Sequence, residues 1–71
     1  MKQPDLGLKV TELRKQKGLT QEMLAEKCEV STRTIQRIET GEVDPRVYTL
    51  QYLSDSLDFN FLEDHTSYEN L

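Results

Sequence analysis

Residues 20–38, TQEMLAEKCEVSTRTIQRI, determine how this chain is expected to fold, because they contain two helix starts separated by a short turn. Thr20 and Ser31 are hydroxyl residues of the type that caps the first turn of a helix. Apolar residues follow each cap at helical spacing, and the residues at positions 29–30 are left for the turn. The stretch therefore predicts a helix, a tight turn and a second helix.

The sequence on either side predicts three more helices, and so a compact, all-α domain of five helices. The first helix is expected over residues 6–17, with Asp5 as its N-cap. The fourth is expected to begin at Pro45, where the missing N–H costs nothing, and to end at Asp58. A short fifth helix is expected to follow, with Asn60 as its cap.

The length of 71 residues and the hydrophobic content of 35% indicate one small domain. We expect residues 1–5 to form an N-terminal arm and residues 6–62 to form the helical domain. Residues 63–71 are expected to be an acidic, polar tail.

Composition argues against several classes of protein. No apolar run approaches the roughly 20 residues of a membrane span, and the N-terminal residues lack the apolar stretch of a signal peptide. Cys28 is the only cysteine, so the chain cannot form an internal disulfide, and we expect a cytoplasmic protein. With one histidine, His65, the sequence offers no metal-ligand cluster and no nucleophile–base pair. We therefore expect no cofactor, no metal and no enzymatic activity.

The net charge of −4 is unevenly distributed. All nine Lys and Arg residues lie in residues 1–46, where eight acids leave a net charge of +1. The remaining residues carry five acids and no Lys or Arg. A local basic face can bind phosphate on an acidic protein, but the overall field attracts DNA weakly. We therefore expect weak nonspecific binding and a need for dimerisation.

The outward face of the third predicted helix carries Thr32, Arg33, Gln36 and Arg37, which suits a helix that enters the major groove of DNA. Arg33 and Arg37 lie four residues apart, hence on one face, and an arginine fork fits the acceptors of guanine. The alternative is a pair of solvated surface arginines. Gln36 is equally compatible with recognition of adenine and with a role only as a good helix former. Thr32 is equally compatible with a contact to a thymine methyl group and with a position in the first turn that contacts nothing.

Gln21 and Ser31 lie at helix starts, where free backbone N–H groups and the helix dipole attract phosphate. Ser31 is expected to act first as a cap. Gln21 has no capping role, and is therefore the better candidate for a phosphate contact.

Fifteen positions agree in order and spacing with a known family, and the chain resembles the lambda-repressor/Cro-like (XRE) helix-turn-helix family over about residues 6–59. The residues that carry the resemblance are Leu13, Arg14, Gly18, Leu19, Thr20, Gln21, Leu24, Ala25, Val30, Ser31, Ile35, Ile38, Glu39, Gly41 and Pro45. The resemblance implies a five-helix, lambda-repressor-like domain that reads operator DNA, usually as a two-fold dimer.

The resemblance also implies roles for individual residues. Gln21 matches a glutamine that grips a backbone phosphate and braces the third helix. Thr40 matches a phosphate-contacting position, and Arg46 resembles basic residues that approach the DNA backbone or minor groove. The family's base-reading positions correspond to Thr32, Arg33, Gln36 and Arg37.

Arg14 and Glu39 resemble a structural ion pair that joins the first and third helices of the family. One departure concerns Glu29, which stands where the family usually has glycine. That position needs a left-handed backbone, which costs a non-glycine residue roughly 1 kcal/mol.

The fourth predicted helix offers a surface for a partner. Tyr48 and Tyr52 lie four residues apart there, and either extend the core or form a dimer contact. The acidic segment after Arg46 would also suit a basic protein partner. The sequence thus predicts a DNA-binding transcriptional regulator that reads a palindrome as a homodimer. Two alternatives stay open: an antitoxin-like module that binds both DNA and a toxin, and a protein-interaction domain that no longer binds DNA.

Overall fold

The computed structural model describes residues 1–63 and contains four α-helices and no strand in that range. The helices are α1 (Asp5–Gln16), α2 (Gln21–Lys27), α3 (Thr32–Glu39) and α4 (Val47–Leu57). The all-α prediction is confirmed. Among these 63 residues no helix is both long enough and apolar enough to cross a membrane.

The two caps predicted from the central stretch are confirmed. The Thr20 hydroxyl accepts a hydrogen bond from the Met23 N–H at 3.0 Å. The Ser31 hydroxyl accepts one from the Thr34 N–H at 3.1 Å. Each cap satisfies a donor that the first helical turn leaves without an intrahelical partner, and so fixes where its helix begins.

The first three helices end in the same way, with a left-handed residue at Gly18 (φ 70°), Glu29 (φ 57°) and Gly41 (φ 82°). In each case the N–H of that residue donates to the carbonyl three residues earlier, and the next N–H donates to the carbonyl five residues earlier. This is the Schellman arrangement, which satisfies the last carbonyls of a helix and reverses the chain direction. The left-handed backbone expected at Glu29 is therefore present.

Two predicted helix starts are wrong. Asp5 is the first helical residue and Pro4 is the N-cap position. A side-chain cap at Asp5 is not needed, because the Gln3 side-chain oxygen accepts the Gly7 N–H at 2.7 Å. Pro45 is not the first residue of α4 either, because Arg46 is still extended (ψ 162°) and acts as the N-cap.

The predicted fifth helix is absent from residues 59–63, where the chain forms turns instead. The Phe61 N–H donates to the Ser54 hydroxyl at 2.9 Å, and Phe61 is fully buried against α4. The Asn60 side chain accepts the Leu62 N–H at 3.0 Å, so it caps a turn and not a helix. Asp58 does end α4, in a left-handed conformation. The predicted acidic tail lies outside the described residues, apart from Glu63.

The core lies where α1, α2, α3 and α4 meet. Its fully buried members are Leu6, Val10, Leu24, Ala25, Cys28, Ile35, Ile38, Leu50, Leu53, Leu57 and Phe61. Gly7 allows α1 to approach the end of α3, because a Cβ at that position would collide with the carbonyl oxygens of Ile38 and Glu39. Cys28 is buried, and burial raises the pKa of its thiol, which suits an inert core residue.

An exposed ion pair joins the end of α1 to the end of α4. The Lys17 ammonium lies 2.7 Å from the Asp58 carboxylate, and this hydrogen bond and charge lower the pKa of Asp58. An exposed pair of this kind contributes little to stability, so the packing of the two helices depends on their apolar faces.

Replacing Glu29 by glycine is expected to stabilise the domain by about 1 kcal/mol, because glycine adopts the left-handed conformation without a Cβ penalty. In a domain of this size that is a rise in melting temperature of about 4–8 °C, measurable by circular dichroism. Glu29→Ala is the matched control, since it removes the same charge but keeps the Cβ. Equal melting temperatures for the two variants would contradict backbone strain at this turn.

Candidate nucleic-acid interface

Helix α3 has one buried face and one exposed face. Ile35 and Ile38 are buried in the core. The side chains on the opposite face are exposed, with Thr32 partly covered at the helix start, and they are Arg33, Gln36, Arg37 and Thr40. The structure therefore places the four predicted base-reading residues on or beside one solvent-facing surface.

The exposed side of α3 borders a shallow groove of about 240 Å³. Its lining residues are Arg33, Gln36, Arg37, Thr40 and Glu42. Four of these belong to α3 or its C-cap, and Glu42 comes from the turn that follows. The groove mixes two guanidinium groups with amide and hydroxyl groups, and these are the donors that read guanine and adenine edges.

The two arginines of this surface differ in their surroundings. Within residues 1–63, the Arg33 side chain makes no hydrogen bond or ion pair. Arg37 donates from Nε to the Glu42 carboxylate at 2.8 Å. Both side chains are exposed, so both are accessible to a partner, but only Arg37 is held by a neighbour.

A chain of side-chain contacts links Gln36 to the interior. Its amide nitrogen lies 3.4 Å from the Gln21 side-chain oxygen. The Gln21 amide nitrogen donates in turn to the Glu39 carboxylate at 3.0 Å. Gln21 thus braces α3 from the start of α2, and one of its two amide hydrogens is left for a phosphate.

The Glu39 carboxylate is nearly buried and is held by Arg14. Arg14 Nε lies 2.7 Å from Glu39 Oε2, and the two side chains are only 11% and 6% exposed. A second guanidinium nitrogen reaches Glu39 Oε1 at 3.2 Å, and a third contact goes to the Leu19 carbonyl at 2.9 Å. The ion pair implied by the family resemblance is present, and it fixes α1 against α3.

The remaining residues that were predicted to contact phosphate lie at the ends of helices. Ser31 is exposed and its hydroxyl is engaged as a cap. The Thr40 hydroxyl donates to the Arg37 carbonyl at 3.2 Å and is exposed at the C-terminal end of α3. Arg46 is exposed at the N-cap of α4, and its side chain has no hydrogen bond or ion pair within the described part of the chain.

Two residues that shape this surface give no signal in the sequence. The Glu42 carboxylate binds Arg37 from the loop that follows α3. Gln3 was placed in the N-terminal arm, yet its amide nitrogen donates to the carbonyls of Ile38 at 2.8 Å and Val43 at 2.7 Å. Gln3 therefore joins the end of α3 to the loop that follows it, by hydrogen bonds to one carbonyl of each. A glutamine just before a helix gives no sequence signal for such a distant contact.

No group of three or more His, Cys, Asp or Glu side chains in residues 1–63 is arranged to hold a metal ion.

Comparisons with known proteins agree with this geometry. A family model described as helix-turn-helix matches residues 10–63. The chain is also similar to a solved structure, that of the restriction-modification controller protein C.AhdI from Aeromonas hydrophila, with 30% sequence identity and a TM-score of 0.72. That match covers 76% of this chain and 82% of the controller protein. The comparison with curated proteins gave no match.

Replacing Arg14 by methionine is expected to destabilise the domain by about 3 kcal/mol, because Glu39 then keeps a nearly buried charge without its cation. The double variant Arg14→Met/Glu39→Gln should recover part of the loss, since its amide still accepts from Gln21 without a charge. Urea unfolding of the two variants and the wild type measures both effects. If the double variant is no more stable than the single one, the loss comes from packing of the Arg14 stem and not from the unpaired carboxylate.

Proposed function

This chain belongs to the XRE-type helix-turn-helix family of DNA-binding transcription regulators, and we propose that it reads a palindromic operator as a homodimer with α3 in the major groove. The observation that carries this proposal is the exposed face of α3. It presents two guanidinium groups and one amide on a helix whose opposite face is locked into the core.

Base recognition is assigned to the exposed face of α3. Arg33 and Arg37 each offer the forked donors that match the O6 and N7 acceptors of guanine, at roughly 1–3 kcal/mol of discrimination per good pair. Gln36 is assigned to adenine, because its amide offers a donor and an acceptor. The hydrogen bond from the Gln36 amide nitrogen to the Gln21 side-chain oxygen restricts the rotation of the Gln36 side chain. Thr32, at the first turn of α3, is placed to contact a thymine methyl.

Phosphate contacts are assigned to groups around the ends of the helices. Gln21 and Ser31 flank the starts of α2 and α3, where backbone N–H groups point outward and favour an anion. Thr40 lies past the other end of α3, and Arg46 is the first positively charged residue after it in the sequence and is exposed. Such contacts fix the register of the protein on DNA without reading its sequence.

Helix α4 is the proposed dimer surface. Its side chains Val47, Tyr48 and Tyr52 are large and exposed, with Tyr48 the most open at 58%. Aromatic residues are enriched at protein–protein interfaces relative to the rest of the protein surface. Dimerisation through α4 would place two α3 helices one helical turn, about 34 Å, apart on the same side of the duplex. The same surface is the alternative site for another protein.

The similarity to a restriction-modification controller protein supports a role as a small regulator that acts through DNA binding. A dimer bound at a promoter would exclude RNA polymerase or position it, depending on where the operator lies. The antitoxin-like alternative would require a toxin-binding surface beside the α3 face. The alternative without DNA binding would leave the exposed Arg33 side chain and the groove beside it without a role.

The test is selection of bound duplexes from a randomised pool at low salt. We expect an enriched palindrome whose half-sites are one helical turn apart. The Arg33→Ala and Arg37→Ala variants should each relax the preference for one guanine per half-site by about 1–3 kcal/mol. Uniform weakening on all sequences would reassign that arginine to phosphate, and the absence of any enrichment with folded protein would contradict the proposed function.

The dimer surface is tested by sedimentation of the double variant Tyr48→Lys/Tyr52→Lys. Two added positive charges in an apolar interface should shift the protein from dimer to monomer at micromolar concentration. Leu8→Lys is the matched control, because Leu8 is an exposed apolar residue on α1. A wild-type protein that is monomeric throughout, or a double variant that remains dimeric, would contradict an α4 interface.

A further inference from the structure

Glu42 lies directly beside the proposed base-reading surface, although it has the same sign of charge as DNA. Its carboxylate accepts a hydrogen bond from Arg37 Nε at 2.8 Å. The two side chains are 45% and 56% exposed, so the pair is open to solvent and to a ligand. An exposed pair of this kind contributes little to stability, and its presence in the groove needs another explanation.

The backbone sets the position of Glu42. Gly41 adopts the left-handed conformation that ends α3, and the Glu42 N–H then donates to the Arg37 carbonyl at 2.9 Å. The main chain of Glu42 is therefore fixed to the same residue that its side chain binds. Because of this double attachment, the carboxylate approaches the guanidinium from one direction.

The contact with Glu42 leaves the two terminal amino groups of Arg37 available to bind a base. The guanidinium group has five N–H donors, and the carboxylate binds the one on Nε. The two terminal amino groups remain to form a bidentate contact with guanine O6 and N7. A guanidinium held at Nε has fewer orientations to lose on binding, whereas the unpaired Arg33 has no such support within the described residues.

The same carboxylate disfavours every DNA sequence to a similar degree, because it repels phosphates and partly neutralises Arg37. This loss of binding free energy is offset only at sequences where the oriented Arg37 guanidinium forms hydrogen bonds with a guanine. We infer that Glu42 is a positioning residue: by orienting Arg37 it sets the preference at the base that Arg37 reads, while its charge lowers the affinity for all sequences alike. This inference rests on the proposed function, since it concerns the same DNA surface.

The experiment compares Glu42→Ala, Glu42→Gln and Asp44→Ala with the wild type. Asp44 is the matched control, because it is an exposed acid two residues away and has no hydrogen bond or ion pair with Arg37. For each protein, binding is measured on the selected operator, on operators changed at one base, and on an unrelated duplex. Thermal melting of each variant checks that the fold is unchanged.

We expect Glu42→Ala to bind the unrelated duplex more tightly and to lose about two- to fivefold of the preference at the base assigned to Arg37, as an exposed ion pair allows. The preference at the base assigned to Arg33 should be unchanged. Glu42→Gln should retain more of the Arg37 preference, because its amide oxygen still accepts from Nε. Asp44→Ala should change affinity without changing the preference at any base.

The inference is overturned if Glu42→Ala and Asp44→Ala give the same base preferences, since Glu42 would then act only as a charge. It is overturned independently of DNA if the Arg37 Nε–H resonance in the NMR spectrum of the free protein is the same in the wild type and in Glu42→Ala. If the wild type selects no sequence, the proposed function fails and this inference fails with it. A wild type that selects an operator, with an unaltered profile for Glu42→Ala, rejects the inference alone.

Discussion

The arrangement of the first three helices depends on the nearly buried carboxylate of Glu39. A charge removed from water must be paired and hydrogen-bonded, and here Arg14 and Gln21 supply the donors. Each donor comes from a different helix, so satisfying one carboxylate fixes α1 and α2 against α3. The apolar core supplies most of the stabilisation, but it specifies the relative position of the helices less sharply than these directed contacts do. The orientation of the exposed side of α3 is therefore set from the interior.

The sequence was sufficient where structure depends on neighbours within a few residues. The caps at Thr20 and Ser31 and the left-handed turn at Glu29 all follow from local hydrogen bonding and backbone sterics. The pattern of apolar residues also identified which face of α3 is buried, because helical periodicity alone decides it. The Arg14–Glu39 contact spans 25 residues, and it was expected only from the family resemblance.

The sequence was insufficient where a side chain reaches across the fold. Gln3 contacts carbonyls 35 and 40 residues away, and nothing in its local sequence distinguishes it from a surface glutamine. Phe61 is fully buried while Phe59 and Leu62 are only partly buried, and the Phe61 N–H donates to the Ser54 hydroxyl seven residues earlier in the chain. Glu42 was missed for a different reason. Its partner lies five residues back, across the end of a helix, which is beyond the spacing of the side-chain pairs expected on a helix surface.

Because Cys28 is buried, the rate at which its thiol reacts with a reagent measures how often the domain opens. It is the only thiol in the chain, it is 1% exposed, and it lies at the end of the helix that braces α3. A thiol reagent reaches it only when α2 separates from the core, so the labelling rate reports how often the domain opens. A ligand that binds only the closed domain must slow that rate in proportion to its occupancy. The unmodified chain thus carries a reporter of complex formation that requires no dye, tag or substitution on the exposed face of α3.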